Sequence, residues 1–233
     1  VAKHGNRAAS GRVGSFDVLE ALGAKVELTP KQVAKTIQKT NLGFMFAPLY
    51  HPAMKNIMPV RKELSIRTVF NILGPLTNPA RAQYQILGVS NEKLGAQMIT
   101  VLKNLGCKRA MVVYGEDGLD EITITAPTKI WELKNSIIRK YKISPEQFGI
   151  RRAQFSKIKG GNAAQNARVI HGILNGTITG AQRDIILLNA GAGLYVYGTT
   201  PSIKKGIELA REAVITEKAK VKLAEYINAS NVV

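Results

Sequence analysis

The sequence predicts an α/β layered domain, in which short buried strands alternate with amphipathic helices. Apolar runs of strand length recur along the first part of the chain, and helical patterns separate them. Helical patterns then fill most of the last third. A length of 233 residues is enough to bury a full core, and a composition of 45% hydrophobic and 21% charged residues is typical of a soluble globular protein.

The first part of the chain is predicted to hold three helices and two strands. Ser15 stands where an N-cap belongs and Gly23 where a left-handed C-terminal cap belongs, which bounds the first helix. The second helix begins at a capping box formed by Thr29 and Gln32, with a proline at the first helical position. The predicted helices cover 15–22, 29–40 and 57–64, and the predicted strands cover 24–28 and 42–46.

The rest of the chain is predicted to continue the alternation and to end in helices. Two prolines make the loop over 74–79 rigid. Strands are expected over 84–89, 110–114, 122–125, 128–133 and 137–141, the last three as a meander. Helices are expected over 92–105, 162–174, 180–197 and 201–227.

Composition excludes several classes of protein. No apolar run approaches the roughly 18 residues that a membrane helix needs. The single cysteine, Cys107, excludes an internal disulfide and fits a packing role in a reducing compartment, so we expect a cytoplasmic protein. Trp131 and His171 are interpreted as structural residues.

The net charge of +17 is unevenly distributed along the chain. Between Lys134 and Lys159 there are eight basic residues and one acidic residue, Glu146. This segment fits either a nucleic-acid footprint or a solvated basic face whose field attracts a small polyanionic substrate. It has few aromatic residues for base stacking, and no helix-turn-helix or zinc-ligand spacing accompanies it, which favours the second interpretation.

The stretch from Lys3 to Gly23 has the composition of a phosphate-binding loop. Lys3 and Arg7 supply positive charge, a turn of small residues follows, and the predicted helix would direct free backbone N–H groups into that turn. A surface turn with two solvated cations, followed by an ordinary capped helix, would have the same composition. The loop alone therefore leaves both interpretations open.

Four of the sixteen acidic residues fall within 116–121, directly after a predicted buried strand. Loops at the ends of such strands commonly hold ligands in α/β domains. Their carboxylates suit Mg²⁺, which binds through one or two carboxylates together with substrate phosphates. A plain hydrophilic turn is the alternative.

No Ser-His-Asp arrangement, Cys/His metal set or Walker-type loop can be identified in the sequence. The residues therefore fit a reaction that requires little acid–base work from the protein. Displacement of a metal-bound diphosphate from a ribose carbon is such a reaction, because positioning and neutralisation of the leaving group do most of the catalysis.

Several motifs, in order along nearly the whole chain, resemble the anthranilate phosphoribosyltransferase family. They are Lys-His-Gly-Asn-Arg at 3–7, Gly-Ser-Phe-Asp-Val-Leu-Glu-Ala-Leu-Gly at 14–23, Leu-Tyr-His-Pro-Ala-Met-Lys-Asn at 49–56, Val-Arg-Lys-Glu-Leu at 60–64, Thr-Val-Phe-Asn-Ile-Leu-Gly-Pro-Leu-Thr-Asn-Pro at 68–79, Asp-Glu at 120–121 and Leu-Leu-Asn-Ala-Gly-Ala-Gly-Leu-Tyr at 187–195. The resemblance implies transfer of phosphoribose from 5-phosphoribosyl 1-diphosphate to the amine of anthranilate in tryptophan biosynthesis. It also implies a fold related to nucleoside phosphorylases, with a mixed sheet, surrounding helices and a small helical domain that mediates a homodimer.

The resemblance also implies the residues of the site. Anthranilate would contact Asn6 and Arg61, and His4 and Pro75 would line its path. Mg²⁺ would be held by Asp120 and Glu121. The phosphoribosyl donor would be bound by Lys3, His4, Gly5, Asn6, Arg7, Ala8, Ala9, Ser10, Gly11 and Ser15.

The sequence departs from the family pattern at its start and in the turn. The Gly-Thr-Gly-Gly-Asp and Asn-Val-Ser-Thr segments, which in the family precede the Lys-His-Gly-Asn motif, are absent, as are the first helices of the small domain. We expect the larger, C-terminal part of such an enzyme: one α/β domain over 1–233, with residues from about 48 to 74 contributing to the hinge and the small helical domain. Val13 and Phe16 replace smaller residues, and we expect them to add bulk to the anion-binding turn.

Two other functions stay open at this point. A nucleoside phosphorylase shares the architecture and also binds phosphate on such a loop. A nucleic-acid-binding protein that reuses the fold would account for the charge. Arg61 and the Asp120-Glu121 pair favour the transferase.

Overall fold

The structure, a computed structural model, describes residues 1–8, 13–52 and 73–233. The predicted helix over 57–64 therefore lies outside the described residues. The chain divides into two compact units, of which the first takes in Val1–Arg81, Gly160–His171 and Ala219–Val233. The second takes in Ala82–Lys159 and Gly172–Lys218.

The first unit contains a two-stranded parallel sheet. Strand β1 pairs with strand β2 in a register that places His4 opposite Met45. Helices and a 3₁₀ turn at Gly74–Leu76 accompany the strands. In chain order the elements are β1 (Ala2–Gly5), α1 (Ser15–Ala21), α2 (Pro30–Thr40), β2 (Gly43–Phe46) and the four-residue α3 (Ala47–Tyr50).

Local sequence accounts for most of these boundaries. The predicted capping box is confirmed, because Gln32 Oε1 accepts from the Thr29 N–H at 2.9 Å and Thr29 Oγ1 accepts from the Gln32 N–H at 3.4 Å. Helix α2 ends at Asn41, whose φ of 60° is left-handed. The strand predicted over 24–28 is wrong: alternate residues are buried there, but no neighbouring strand pairs with them.

Phe16 lies in the core of the first unit and not in the anion-binding turn. Its side chain is fully buried, and its ring lies 5.7 Å from that of Phe46 and 6.4 Å from that of Phe44 between centroids. A Cβ added at Gly5 would lie 2.9 Å from Phe16 Cε2, so the ring supports the end of β1 directly. The expectation that Phe16 adds bulk to the turn is wrong, because position 16 faces the core.

The second unit contains a four-stranded mixed sheet in the order β3-β4-β5-β6. Strands β3 and β4 are parallel and are joined by helix α4, whereas β5 and β6 follow as antiparallel neighbours. These elements are β3 (Tyr84–Gly88), α4 (Gly95–Asn104), β4 (Arg109–Gly115), β5 (Thr128–Lys134) and β6 (Ile137–Ile143). Of the three strands predicted as a meander, those over 128–133 and 137–141 are confirmed as antiparallel neighbours, whereas 122–125 is not a strand.

Four helices complete the described chain, namely α5 (Ala163–Leu174), α6 (Ala181–Tyr197), α7 (Ile203–Ile215) and α8 (Lys218–Val232). The single helix predicted over 201–227 is in fact two, separated at Glu217, whose φ is 56°. Helices α6 and α7 cross at glycines. A Cβ added at Gly191 would lie 2.5 Å from the backbone nitrogen of Ile207, and one added at Gly206 would lie 2.8 Å from the carbonyl carbon of Gly191.

Trp131 and Cys107, both interpreted as packing residues, make packing contacts in the second unit. Trp131 is buried, and its ring fills the space beside Gly95 on α4. Cys107 is half-buried with its thiol 3.5 Å from the carbonyl oxygen of Ala82, and burial raises the pKa of the thiol, which keeps it protonated. In the described part of the chain, no helix is both long and apolar enough to cross a membrane.

Candidate anion loop and acidic loop

The predicted anion-binding residues begin on β1 and continue into the turn that follows it. Lys3 is exposed on the strand, whereas His4 and Gly5 are half-buried. Asn6 is exposed, and its side-chain oxygen accepts the Arg7 N–H at 2.8 Å. Ala8 and Ser15 are also exposed. Ala9, Ser10 and Gly11 lie outside the described residues, as does Arg61.

Arg7 is neutralised by two carboxylates of its own unit. Its guanidinium donates to both oxygens of Glu20, at 3.0 and 2.6 Å, and to Glu27 at 2.7 Å. Its Cζ atom lies 4.6 Å from the centroid of the Phe46 ring. These hydrogen bonds to Glu20 and Glu27 raise the pKa of Arg7 above its already high ordinary value. The sequence alone predicts an unpaired cation at Arg7, because its partners are 13 and 20 residues away.

The Asp17 carboxylate accepts hydrogen bonds from the backbone N–H groups of Ala8 and Gly14, on either side of the turn. Its Oδ2 atom accepts from the Gly14 N–H at 2.6 Å and from the Ala8 N–H at 3.0 Å. These two hydrogen bonds hold the pKa of Asp17 below its ordinary value. The N-cap of α1 is Gly14 and not Ser15 as predicted. The N–H groups of Ala8 and Gly14 are therefore not free for an anion.

His4 and His51 form a pair beside the loop at 74–79. His4 Nδ1 lies 3.2 Å from the carbonyl oxygen of Gly74, and because a carbonyl only accepts, Nδ1 carries the proton. His51 Nε2 then donates to His4 Nε2 across 3.1 Å when both rings are neutral. Burial lowers the pKa of His4, the Gly74 hydrogen bond opposes this, and His51 lowers it further, so His4 is neutral at pH 7.

Asn78, a residue of the 68–79 motif for which the sequence predicts no role, links the same loop to β1. The Asn78 side chain donates to the carbonyl oxygen of Ala2 at 3.0 Å. Pro75, predicted to line the path of anthranilate, follows Gly74 directly and is exposed. The structure thus brings together His4, His51 and the Gly74-Pro75 dipeptide.

In the second unit, Glu116 and Asp117 of the acidic loop over 116–121 make structural contacts. Glu116 forms ion pairs with Lys142 at 2.7 Å and with Lys129 at 3.6 Å. Asp117 accepts from the hydroxyls of Thr123 and Thr125 and from the Leu119 N–H. Burial works to raise the pKa of Asp117, but these hydrogen bonds outweigh it and hold the pKa below its ordinary value.

The other two acids, Asp120 and Glu121, are exposed on the loop that follows β4. Gly88, at the end of β3, makes room for this loop: a Cβ there would lie 2.5 Å from the carbonyl carbon of Asp120 and nearer still to its oxygen. The loop is fixed on its other side by Asn189, a residue of the 187–195 motif for which the sequence predicts no role. Asn189 accepts the Ile122 N–H at 3.1 Å and donates to the Ile122 carbonyl at 2.8 Å.

This arrangement fits a magnesium ion bound together with substrate. Among the described residues there is no group of three or more His, Cys, Asp or Glu side chains that could enclose a metal. Asp120 and Glu121 supply two adjacent carboxylates, and Mg²⁺ bound to one or two carboxylates completes its shell with substrate phosphates and water.

In the basic segment between Lys134 and Lys159, some of the cations form ion pairs with carboxylates of the second unit. Arg152 pairs with Glu146 at 2.9 Å, Lys142 with Glu116 at 2.7 Å, and Lys140 with Glu92 at 3.7 Å. These contacts favour the solvated basic face over a nucleic-acid footprint, because the paired cations hold carboxylates of their own domain.

Comparisons with known proteins agree with the geometry. The family model described as "Glycosyl transferase family, a/b domain" matches residues 1–220. The anthranilate phosphoribosyltransferases of Rubrobacter xylanophilus and Acetivibrio thermocellus are 49% and 50% identical to the chain, each over 99% of it and 67% of the relative. The chain thus spans about two thirds of the length of the curated relatives it matches.

Two solved structures extend this similarity to the fold. The crystal structure of anthranilate phosphoribosyltransferase from Thermus thermophilus matches with a TM-score of 0.93 and 44% identity, over 100% of this chain and 69% of that one. The Saccharomyces cerevisiae enzyme in complex with PRPP and Mg matches with a TM-score of 0.92 and 27% identity, over 99% of this chain and 65% of that one.

Proposed function

The chain belongs to the anthranilate phosphoribosyltransferase family, and we propose that it transfers phosphoribose from 5-phosphoribosyl 1-diphosphate to anthranilate. The anthranilate nitrogen attacks the ribose C1 atom, the bond from C1 to the diphosphate oxygen breaks, and diphosphate leaves with the electron pair. The nitrogen then loses a proton to give N-(5-phosphoribosyl)anthranilate. The observation that carries this proposal is the identity of about one half with enzymes of that name over 99% of the chain.

The donor is proposed to bind along the segment that follows β1. Lys3 is exposed there, and its ammonium group offers a point charge to a phosphate. Asn6, also exposed, is proposed to meet both donor and acceptor. The net charge of +17 supports capture of a polyanionic donor, because a positive field raises its local concentration.

Anthranilate is proposed to lie near His4 and Pro75. Because His4 is neutral, it can line the path of an aromatic ring without the desolvation cost of a charged imidazole. Arg61 is proposed to bind the carboxylate of anthranilate, since a planar guanidinium matches a carboxylate in two parallel hydrogen bonds.

Asp120 and Glu121 are proposed to hold Mg²⁺ with the diphosphate of the donor. The bound ion supplies positive charge that neutralises the leaving diphosphate. Asn189 and Gly88 fix the backbone from which both carboxylates project, so they set where the ion can sit. The homodimer, which the resemblance implies, and the cytoplasmic location, which the single cysteine indicates, stay predictions.

The test is the loss of anthranilate fluorescence with 5-phosphoribosyl 1-diphosphate and Mg²⁺. It is run on this chain and on a fusion in which whatever part of the Rubrobacter xylanophilus enzyme precedes its match to Val1 is placed before Val1. We expect decay that depends on both donor and metal in the fusion. The double variant Asp120→Asn, Glu121→Gln should abolish the metal dependence, whereas Glu212→Gln, an exposed acid on α7, should not change it. A folded fusion that shows no turnover would refute the proposal.

A further inference from the structure

The Asp117 carboxylate holds the acidic loop on both sides of the two proposed metal ligands. Its Oδ1 atom accepts the Leu119 N–H at 3.2 Å, directly before that pair of acids. Its Oδ2 atom accepts the hydroxyl of Thr123 at 2.6 Å and the hydroxyl of Thr125, and both threonines follow the pair. One side chain therefore spans the two residues that are proposed to hold Mg²⁺.

These contacts direct the Asp117 carboxylate into the loop. The threonine hydroxyls occupy Oδ2, since a carboxylate oxygen has about two lone-pair positions. The main chain crowds Oδ1, because a Cβ added at Gly115 would lie 2.5 Å from it. Asp117 is half-buried, and its partner Thr123 is only 1% exposed. Asp117 is therefore engaged as a hydrogen-bond acceptor before any ion binds.

Backbone hydrogen bonds attach the same two points of the loop to the sheet. Gly115, at the end of β4, donates its N–H to the Leu119 carbonyl oxygen at 2.8 Å. Thr128, at the start of β5, accepts the Thr123 N–H on its side-chain oxygen at 3.1 Å. Asp117 thus joins a part of the loop that is fixed to β4 to a part that is fixed to β5.

We propose that Asp117 is a positioning residue for the metal and not one of its ligands, because it holds the backbone from which Asp120 and Glu121 project. Mg²⁺ tolerates little departure from octahedral geometry, so a displaced carboxylate binds it less well. The inference rests on the proposed function for the identity of the ion and its site. The hydrogen bonds of Asp117 do not depend on it.

The first test measures hydrogen exchange of individual backbone amides without metal or donor. Asp117→Ala removes the acceptor, and exchange at Leu119 should rise about tenfold or more, because a hydrogen bond to a charged group is lost. Glu116→Gln is the matched control: it changes the neighbouring acid, whose ion pairs are with lysines, and should leave Leu119 protected. Unchanged exchange at Leu119 in Asp117→Ala would overturn the inference.

The second test measures binding of Mn²⁺, a paramagnetic probe of the Mg²⁺ site, to the fusion described above with 5-phosphoribosyl 1-diphosphate and no anthranilate. Electron paramagnetic resonance measures the free ion, at a temperature where thermal unfolding shows each variant to be folded. Asp117→Ala should weaken Mn²⁺ binding about tenfold or more, the usual cost of removing a group that orients a metal ligand. Glu116→Gln should not change it. Equal Mn²⁺ affinity in Asp117→Ala and wild type would overturn the positioning role.

Thr125→Val separates positioning from direct ligation, because the two roles predict different results. The change removes one hydroxyl from Asp117 Oδ2 and keeps the carboxylate and the shape of the threonine. If Asp117 positions the metal ligands, Mn²⁺ binding should weaken several-fold, and the Mg²⁺ concentration for half-maximal rate should rise while the anthranilate KM stays unchanged. If Asp117 is itself a ligand, the released lone pair should leave binding unchanged or tighten it, and that result would overturn the proposal.

Failure of the proposed function has a different signature. The wild-type fusion would then show no Mn²⁺ binding that depends on 5-phosphoribosyl 1-diphosphate, and the metal-positioning role would fall with it. Amide exchange at Leu119 would still report the contacts of Asp117.

Discussion

Replacing Gly88 with alanine should displace the acidic loop and leave the sheet intact. The new Cβ would lie 2.5 Å from the carbonyl carbon of Asp120, whereas an ordinary contact begins at 3.4 Å. The loop must therefore move by at least about 0.9 Å, because a backbone carbonyl cannot rotate away as a side chain can. Overpacking of this kind costs about 2 kcal/mol. For a chain of this length we expect the melting temperature to fall by about 6 °C.

The functional effect should exceed the effect on stability. Asp120 itself is displaced, and a misplacement of about 1 Å in a catalytic constellation can cost about 100-fold in rate. The assay is anthranilate consumption by the fusion as a function of Mg²⁺ concentration, with thermal unfolding in parallel. Gly193→Ala is the matched control, since a Cβ there meets no atom within 4 Å. A Gly88→Ala variant that keeps the wild-type magnesium dependence would refute the placement of the metal on this loop.

Two further predictions concern stability. Phe16→Ala should lower the free energy of unfolding by about 3–5 kcal/mol in a denaturant titration, because the ring is fully buried between β1 and the Phe44 and Phe46 rings. A loss below about 1 kcal/mol would contradict its core position. Against the effect of burial, hydrogen bonds from Thr123 and Thr125 hold the pKa of Asp117 below its ordinary value, so its stabilisation is complete above the unfolded-state pKa and is lost as the pH falls through the folded-state pKa. The stability gap between wild type and Asp117→Asn should therefore shrink in acid, and a gap that stays constant from pH 7 down to about pH 2 would contradict it.

Features that are encoded over a few residues could be predicted from the sequence. The capping box of Thr29 and Gln32 and the antiparallel strands over 128–133 and 137–141 depend on neighbours close in the chain, and both predictions are confirmed. The strand predicted over 24–28 is wrong, because residues can alternate between buried and exposed positions against a core without pairing with another strand. Glu217 divides the last predicted helix by a left-handed φ, which an apolar pattern does not reveal.

The candidate site was less predictable because its contacts are distant in sequence or were assigned to other roles. His4 and His51 are 47 positions apart, and nothing local indicates that one donates to the other. The Gly14-x-x-Asp17 spacing was a usable signal of a capped helix start. Ser15 obscures this signal, because serine is the more common N-cap residue. Phe16 was assigned to the turn by its position in the motif, although the face it occupies on α1 is set by the tertiary packing.

The crossing of α6 and α7 uses main chain on both sides, so its spacing does not depend on which side chains fill the surrounding core. Gly191 contacts the backbone at Ile207, and Gly206 contacts the backbone at Gly191. Asn189 lies two positions before Gly191 on the same helix and holds the end of the acidic loop. Apolar residues around this crossing can therefore change in evolution while Asn189 keeps its position beside the acidic loop. A methyl group at either glycine would separate the two helices and displace Asn189.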